Sequence, residues 1–471
     1  MKKVLLGLAI VSMASVQCRK IEVDDNGTVV NPPTNTENVI LEGRIIENRT
    51  LKKEFTYKLR GLVYVTNGAV LTIEPGTRIV GERGRNGGLV ITRSSKIVAD
   101  GTVSDPIVFT SEEPTPQRGD WAGLTILGNA PTNSSFNGIQ GIGEIEGGIN
   151  NSDGLGLYGT PVTQQQNPAD NSGILRYVRI EYAGYAFLPD KEINSLTLAG
   201  VGNQTVIDHV QVSYANDDAF EFFGGTVNAS HLISYHTLDD DFDTDAGYSG
   251  KVQFGIVFRD SAAADISKVE GFESDNDANG SENMPQTSAV FSNFTILGPK
   301  ATLSNTGSNL YLAGVQIRRN SSISLFNSVI AGWPKGLLID GSKGRPTDLN
   351  ITGASPGLFV QNTVIAGVPA GDEVVYAVSP TTPTGATTAS MVSWFNTPSF
   401  GNRIVATNND LGLGDAFNYS NPDFNPTAGS ILNSGAGFSH AKLSSFFTPV
   451  TYVGAAAPGD TWWKTWTKFS Y

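Results

Sequence analysis

The chain has 471 residues and a formal net charge of −13, which excludes nucleic acid and anionic lipid surfaces as partners held by general electrostatics. Its 53 glycines, 4 methionines and 1 cysteine exclude an internal disulfide framework and argue against a helical protein. Short runs of Val, Ile, Thr, Phe and Tyr, set between Gly, Asn and Asp turns, predict an all-β fold.

The first element is a leader. Met1-Lys2-Lys3 is a positive start, and Val4–Val11 is a mostly apolar run. Residues 1–17 therefore predict a secretory signal peptide, too short to span a bilayer. The leader stops at SVQC, where Cys18 is the only cysteine. Such a stop resembles the lipobox of bacterial lipoproteins, in which the thiol is acylated with fatty chains such as palmitate and the leader is removed. The resemblance implies that Cys18 is the lipidated first residue of the mature chain, with the acyl chains as its membrane anchor. A secretory leader with an incidental cysteine is the alternative. Losing Lys2 and Lys3 takes the formal charge from −13 to −15. Residues 19–38 are polar and carry a Pro-Pro, so 18–38 reads as an acylated terminus and flexible tether. Glu22, Asp24 and Asp25 resemble the acidic signals that send Bacteroidota lipoproteins to the cell surface; a solvated linker is the alternative.

Residues 39–471 read as a single domain. GLVYVTNGAVLTIEPGTRIVGE (61–82), GGLVITRSSKIVADGTVSDPIVFTS (87–111) and GDWAGLTILGNAPTN (119–133) each pair short β runs through a Gly or Asn corner. These phrases look like the opening of many bacterial right-handed parallel β-helix proteins. ILRYVRIEYAG (174–184), VIDHVQVSYAN (206–216), HLISYHTLD (231–239), FSNFTILG (291–298), FNSVIAG (326–332) and VQNTVIAG (360–367) repeat the theme, at about 25–35 residues apart, as in a solenoid. A β-sandwich is the alternative, although it favours tight hairpins over one-way repeats. Segments 131–172 and 368–398 are rich in small and polar residues and predict surface loops. At the end, GDTWWKTWTKFSY crowds Trp462, Trp463 and Trp466 together. An aromatic plug over the last coil is expected, since solenoids need caps; a sugar-stacking platform is the alternative.

Two phrases align on their phenylalanines: Asp217-Asp218-Ala219-Phe220-Glu221 and Asp239-Asp240-Asp241-Phe242-Asp243, offset by 22 residues. One coil apart, matched residues stack about 4.8 Å from each other. This places Asp217 over Asp239, Asp218 over Asp240 and Glu221 over Asp243, with Asp245 extending the lower rung. Glu273, Asp275 and Asp277 supply a third. Stacked carboxylates repel unless a cation, raised pKa values or solvent separates them. A hard cation with oxygen ligands suits the ladder, and Ca²⁺ tolerates its irregular geometry. The expected ligands are Asp217, Asp218, Glu221, Asp239, Asp240, Asp241, Asp243 and Asp245; a solvated acidic face is the alternative. An EF-hand is excluded, because Ala246 and Val252 occupy the positions of its glycine and closing glutamate. The four histidines, His209, His231, His236 and His440, show no converging set of three zinc ligands. His209 and His231 read as stacked structural imidazoles.

GDWAGLTILGNAP, the run YANDDAFEFFGG to FGIVFRD and the terminal WTKF resemble a group of uncharacterised Bacteroidota outer-membrane lipoproteins. That resemblance implies a lipid-anchored outer-membrane protein facing the cell surface, which captures a glycan or other nutrient beside a TonB-dependent receptor. No residue pattern fixes a catalytic acid or base. A Ca²⁺-dependent polysaccharide lyase or hydrolase is the second expectation, with Lys251, Arg259, Lys268, Arg318 and Arg319 as candidate bases. A structural or adhesive surface protein is the third.

Overall fold

The one-way repeats fold as parallel coils with three faces. The computed structural model describes residues 38–188, 191–299 and 308–470, together with paired strands at Glu22–Val23 and Val29–Val30. The signal peptide, Cys18 and most of the tether lie outside the described residues. The chain divides into residues 1–36 and 37–471, and the architecture below is that of the second unit.

The first face begins with Arg49–Leu51, Val70–Ile73 and Lys96–Asp100 and ends at Val360–Gln361. The second begins with residues 38–42 and 56–59, continues through Arg78–Gly81 and Ile107–Ser111, and ends at Arg403–Val405. Between them, five long strands serve both faces: Gly173–Glu181, Val206–Ser213, Asn228–Tyr235, Lys251–Phe258 and Val290–Leu297. The third face stacks Gly88–Ile91, Gly123–Leu127, Leu196–Ala199, Phe220–Phe223, Phe242–Asp245, Phe272–Ser274, Tyr311–Ile317, Lys335–Asp340 and Val374–Ala377. Every ladder of this 27-stranded sheet is parallel. A parallel β-helix is thereby established, and the antiparallel sandwich is excluded.

The bend inside each long strand is one left-handed residue. Tyr177, His209, His231 and Phe254, followed by Asn293, Asn327 and Asn362, stack coil upon coil with φ between 49° and 63°. Asparagine and histidine adopt this conformation more readily than most residues, whereas the bulky Tyr177 and Phe254 pay strain for it. The interior is a continuous column of Val, Ile, Leu and Phe.

Three expectations are corrected. Segment 368–398 is not a loop: it supplies the strand Val374–Ala377 and the helix Thr388–Phe395, begun by a capping box of Thr387 and Ser390. Met391 and Phe395 of that helix enter the interior column, so the helix, packed on the last strand of the third face, does the work expected of the tryptophans. Segment 131–172 forms two hairpins, Ser135–Phe136 with Ile139–Gln140 and Ile142–Glu144 with Leu157–Gly159. Ile145, Ile149 and Tyr158 seat it on Leu127, Ala199 and Phe223 of the third face. The C-terminal segment does not plug the last coil. It runs back along the outside of the second face, where Trp463 and Trp466 are buried against Ile233, Ile256, Val329 and Val364. No helix among the described residues is long and apolar enough to cross a membrane.

Candidate cation site

Parallel register builds the acidic ladder. Phe220, Phe242 and Phe272 pair in line and point inward, their rings stacked at 4.9 Å in both steps. Side chains alternate across a strand, so Glu221, Asp243 and Glu273 form a column on the outer side. Thr197 continues this column on one end and Gln316 on the other.

Three carboxylate groups converge along these rungs. Asp217 with Asp218 and Asp239, Asp218 with Glu221 and Asp243, and Asp240 with Glu270 and Glu273 each bring three oxygens within 4.8 Å of one another. The backbone fixes them from coil to coil: the Asp240 amide donates to Asp218 Oδ1 at 2.9 Å, and the Glu270 amide donates to Asp240 Oδ1 at 2.6 Å. Ser267 Oγ donates to Asp239 at 3.1 Å. Glu221 Oε2 and Asp243 Oδ1, however, are buried and accept no hydrogen bond. Carboxylate oxygens in that state are costly unless protonated or bound to a cation.

The electrostatics agree. Burial first, then the neighbouring carboxylates, pushes Asp218, Glu221, Asp240, Asp243 and Glu273 well above the ordinary range. Burial pushes Asp239, Asp245 and Glu270 up to about 7. Part of this burial comes from the 131–172 insertion. Thr132 Oγ1 and the Asn133 amide both donate to Ala246 O, at 2.8 and 3.0 Å. Tyr158 packs on Phe223 at 6.1 Å, and the charge of Glu146 adds to the raised value of Glu221.

Not all predicted ligands converge. Asp241 is fully buried and pairs with Arg259 at 3.4 Å, with a further hydrogen bond from Ser234, so it belongs to a separate ion pair. Asp245 accepts from the Ala246 amide at 2.5 Å and joins none of the three groups. Of the third rung, Glu273 stacks on Asp243 as expected, Asp275 pairs with Arg318 at 2.8 Å, and Asp277 closes a turn through the amides of Asn279 and Ser281. Glu270 was missed. Aligning VEGFE on Phe272 would have placed Glu270 under Asp240, but eight extra residues in the preceding loop broke the 22-residue spacing. The tryptophans form no platform: Trp463 and Trp466 are buried, and Trp462 is half-buried against the same cluster.

A family profile described as pectate-lyase-like β-helix domain matches residues 43–366. The chain belongs to that family. Among solved structures it is similar to the Dettilon tailspike protein (gp208), at 10% identity and a TM-score of 0.27, over 71% of this chain and 58% of that one. The match thus spans less than two thirds of the tailspike chain. A comparison with curated proteins finds no match.

Membership in this β-helix family does not by itself supply a base. Arg259 is held by Asp241, Arg318 by Glu273 and Asp275, and Arg319 by Asp275. Lys268 Nζ donates to the Asn309 carbonyl at 3.4 Å. Each candidate arginine is therefore engaged with a carboxylate.

Proposed function

We propose that this β-helix protein is a binding module whose third face holds divalent cations, Ca²⁺ by preference, and presents them to an acidic glycan. The observation that carries the proposal is the pair of buried, unpartnered oxygens, Glu221 Oε2 and Asp243 Oδ1, inside a group that also contains Asp218. Oxygen-only donors of high charge suit a hard cation. Asp217, Asp218, Asp239, Glu221 and Asp243 would hold it, with Asp240, Glu270 and Glu273 as a second group. A bound cation offers its remaining positions to ligand oxygens, and anionic sugars are the ligand class that a protein of net charge −13 cannot otherwise attract. Binding is preferred to lyase chemistry because the nearby arginines are tied to carboxylates. Lipidation at Cys18, a cell-surface location and work beside a TonB-dependent receptor complete the proposal, resting on the SVQC stop and the acidic residues after it.

The test is Ca²⁺ titration of the protein, followed by heat stability and by binding to an array of neutral and acidic glycans. Stabilisation by Ca²⁺ with Ca²⁺-dependent retention of acidic glycans supports the proposal. Stabilisation with no glycan retained reduces the ladder to a staple between coils, and cleavage of an acidic glycan would move the protein to the lyases or hydrolases.

A further inference from the structure

A pocket of about 630 Å³ opens at the corner where the second face turns toward the third. Tyr182 and Tyr214 form one wall, each directly after a long strand, Gly173–Glu181 or Val206–Ser213. Both take the left-handed conformation, at φ 62° and 55°. Their amides donate to the carbonyls of Ser213 and Tyr235 one coil on, at 2.9 and 3.0 Å, and the two rings stack at 5.3 Å and 10°. Tyrosine is strained in this conformation, and such strain gathers at ligand-binding positions. The facing rim is the loop that carries Pro114, Pro116 and Gln117. Asp120 locks that loop. Its carboxylate accepts from Ser111 Oγ at 2.7 Å and from the Gln117 amide at 2.9 Å, and its own amide donates to Tyr182 O at 3.1 Å. With two prolines and this knot, the rim has little freedom to lose on binding.

Among the described residues, Arg118 is the charged group that lines the pocket. Its guanidinium lies 5.0 Å over the Tyr214 ring. Nη1 donates to the carbonyls of Ala215, at 3.0 Å, and His236. Nη2 stands 3.7 Å from Asp260 Oδ2, which offsets part of the charge but is beyond hydrogen-bond reach. Among the described residues, Nε and Nη2 donate no hydrogen bond, so the guanidinium keeps donors for a ligand oxygen.

We propose that this pocket takes one uronic acid unit of the acidic glycan, its carboxylate held by Arg118; the inference rests on the reading of the third face given above. A pyranose presents C–H patches and hydroxyls together, the mixture that a lining of tyrosine, proline, amide and guanidinium accepts. An arginine fork meets a carboxylate in two parallel hydrogen bonds. The position fits a chain that continues to the cations. Tyr214 precedes Asp217 by three residues, and His236, whose carbonyl Arg118 holds, precedes Asp239 by three. Three residues span at most about 11 Å, so the pocket adjoins the group of Asp217, Asp218 and Asp239. A glycan with one unit in the pocket therefore reaches that group with the units that follow.

The experiment uses the full chain and short oligouronate pools cut from galacturonan, alginate and hyaluronan. Affinity is read by calorimetry in millimolar Ca²⁺, and contact by saturation-transfer NMR in chelator. Tyr214→Asn keeps a residue suited to the left-handed corner. Gln117→Trp, at an exposed position, fills the pocket from its rim and leaves the corner residues unchanged. Each variant is expected to lower affinity in Ca²⁺ about tenfold or more, while Ca²⁺ raises the melting temperature as in the parent. In chelator, weak transfer to the sugar ring protons is expected from the parent and from neither variant. Binding by both variants equal to the parent's would overturn this inference and leave the cation-dependent reading standing. Transfer in chelator, lost in the variants, with no gain from Ca²⁺ would support the pocket and overturn the cation-dependent reading. If Tyr214→Asn fails to fold, Gln117→Trp alone decides. A parent chain that binds no pool in either buffer overturns both.

Discussion

The first coils and the middle coils solve the same packing problem in different surroundings. On the first coils, burial alternates along first-face strands such as Val70–Ile73 and Lys96–Asp100, and outward charges meet opposite charges: Arg60 with Glu82 at 2.7 Å, and Lys58 with Glu112. On the middle coils, strands such as Leu196–Ala199 and Val290–Leu297 are buried at every position, because the 131–172 insertion covers the third face and the C-terminal segment covers the second. There the outward acids crowd against other acids, with Arg318 and Arg319 offsetting only Glu273 and Asp275 at one end. An exposed carboxylate pair is screened by water and contributes little. The same pair under a lid either takes up protons or a cation. The lid, more than the count of acids, separates a charged surface from a cation site.

The largest expected effect follows from removing cations at high pH. In cation-free protein, Asp239 and Glu270 sit at about 7, above their values in an unfolded chain. A carboxylate with a raised folded value imposes no penalty below its unfolded value and its full penalty above its folded value. Stability in chelator should therefore fall as pH rises from 4 to 8, by on the order of 4 kcal/mol for each of these two groups, or about 8 °C in melting temperature for a chain of this size. Ca²⁺ should restore the loss at pH 8 and do little at pH 5, as calorimetry in both buffers would show. Equal melting temperatures at pH 5 and 8 in chelator would mean that water reaches the ladder as freely as it reaches Glu82.

Stripping the second cover should come next. Trp466→Ala removes a fully buried indole from the C-terminal segment and should cost about 3–5 kcal/mol locally. Limited proteolysis should then release the residues after 410 while leaving the coils intact.

Glu221→Gln sharpens the contrast by changing sign. At pH 8 without cations it should stabilise the protein by about 1 kcal/mol, since a crowded charge is gone. With Ca²⁺ it should weaken binding at least tenfold, or about 1.4 kcal/mol. A variant that is destabilised in both conditions would place Glu221 in packing alone.

His209→Asn should be the mildest. Asparagine tolerates the left-handed corner, so the lost stacking should cost about 1 kcal/mol or less, read from denaturant unfolding.

The sequence by itself determined the parallel coils and most of the ladder. Repeated strand-and-corner phrases and the 22-residue offset between Phe220 and Phe242 are local signals, and in a stacked solenoid a constant offset converts directly into contact. The same logic placed Glu221 over Asp243 and His209 over His231, as the register confirms. What covers the coils was decided only in three dimensions. Gly-rich 131–172 carries no strong period, yet its scattered Ile145, Ile149 and Tyr158 lock onto the third face. The tryptophans at 463 and 466 read as a plug because sequence shows that they must be buried, but not against which surface. The mostly apolar runs HLISY and FGIVF were the one sign that a second layer would cover those strands. Asp241 shows the same limit at a single residue. Its neighbours in sequence join the ladder, while its own side chain turns inward to Arg259, because successive residues at a corner point in directions that only the folded backbone fixes.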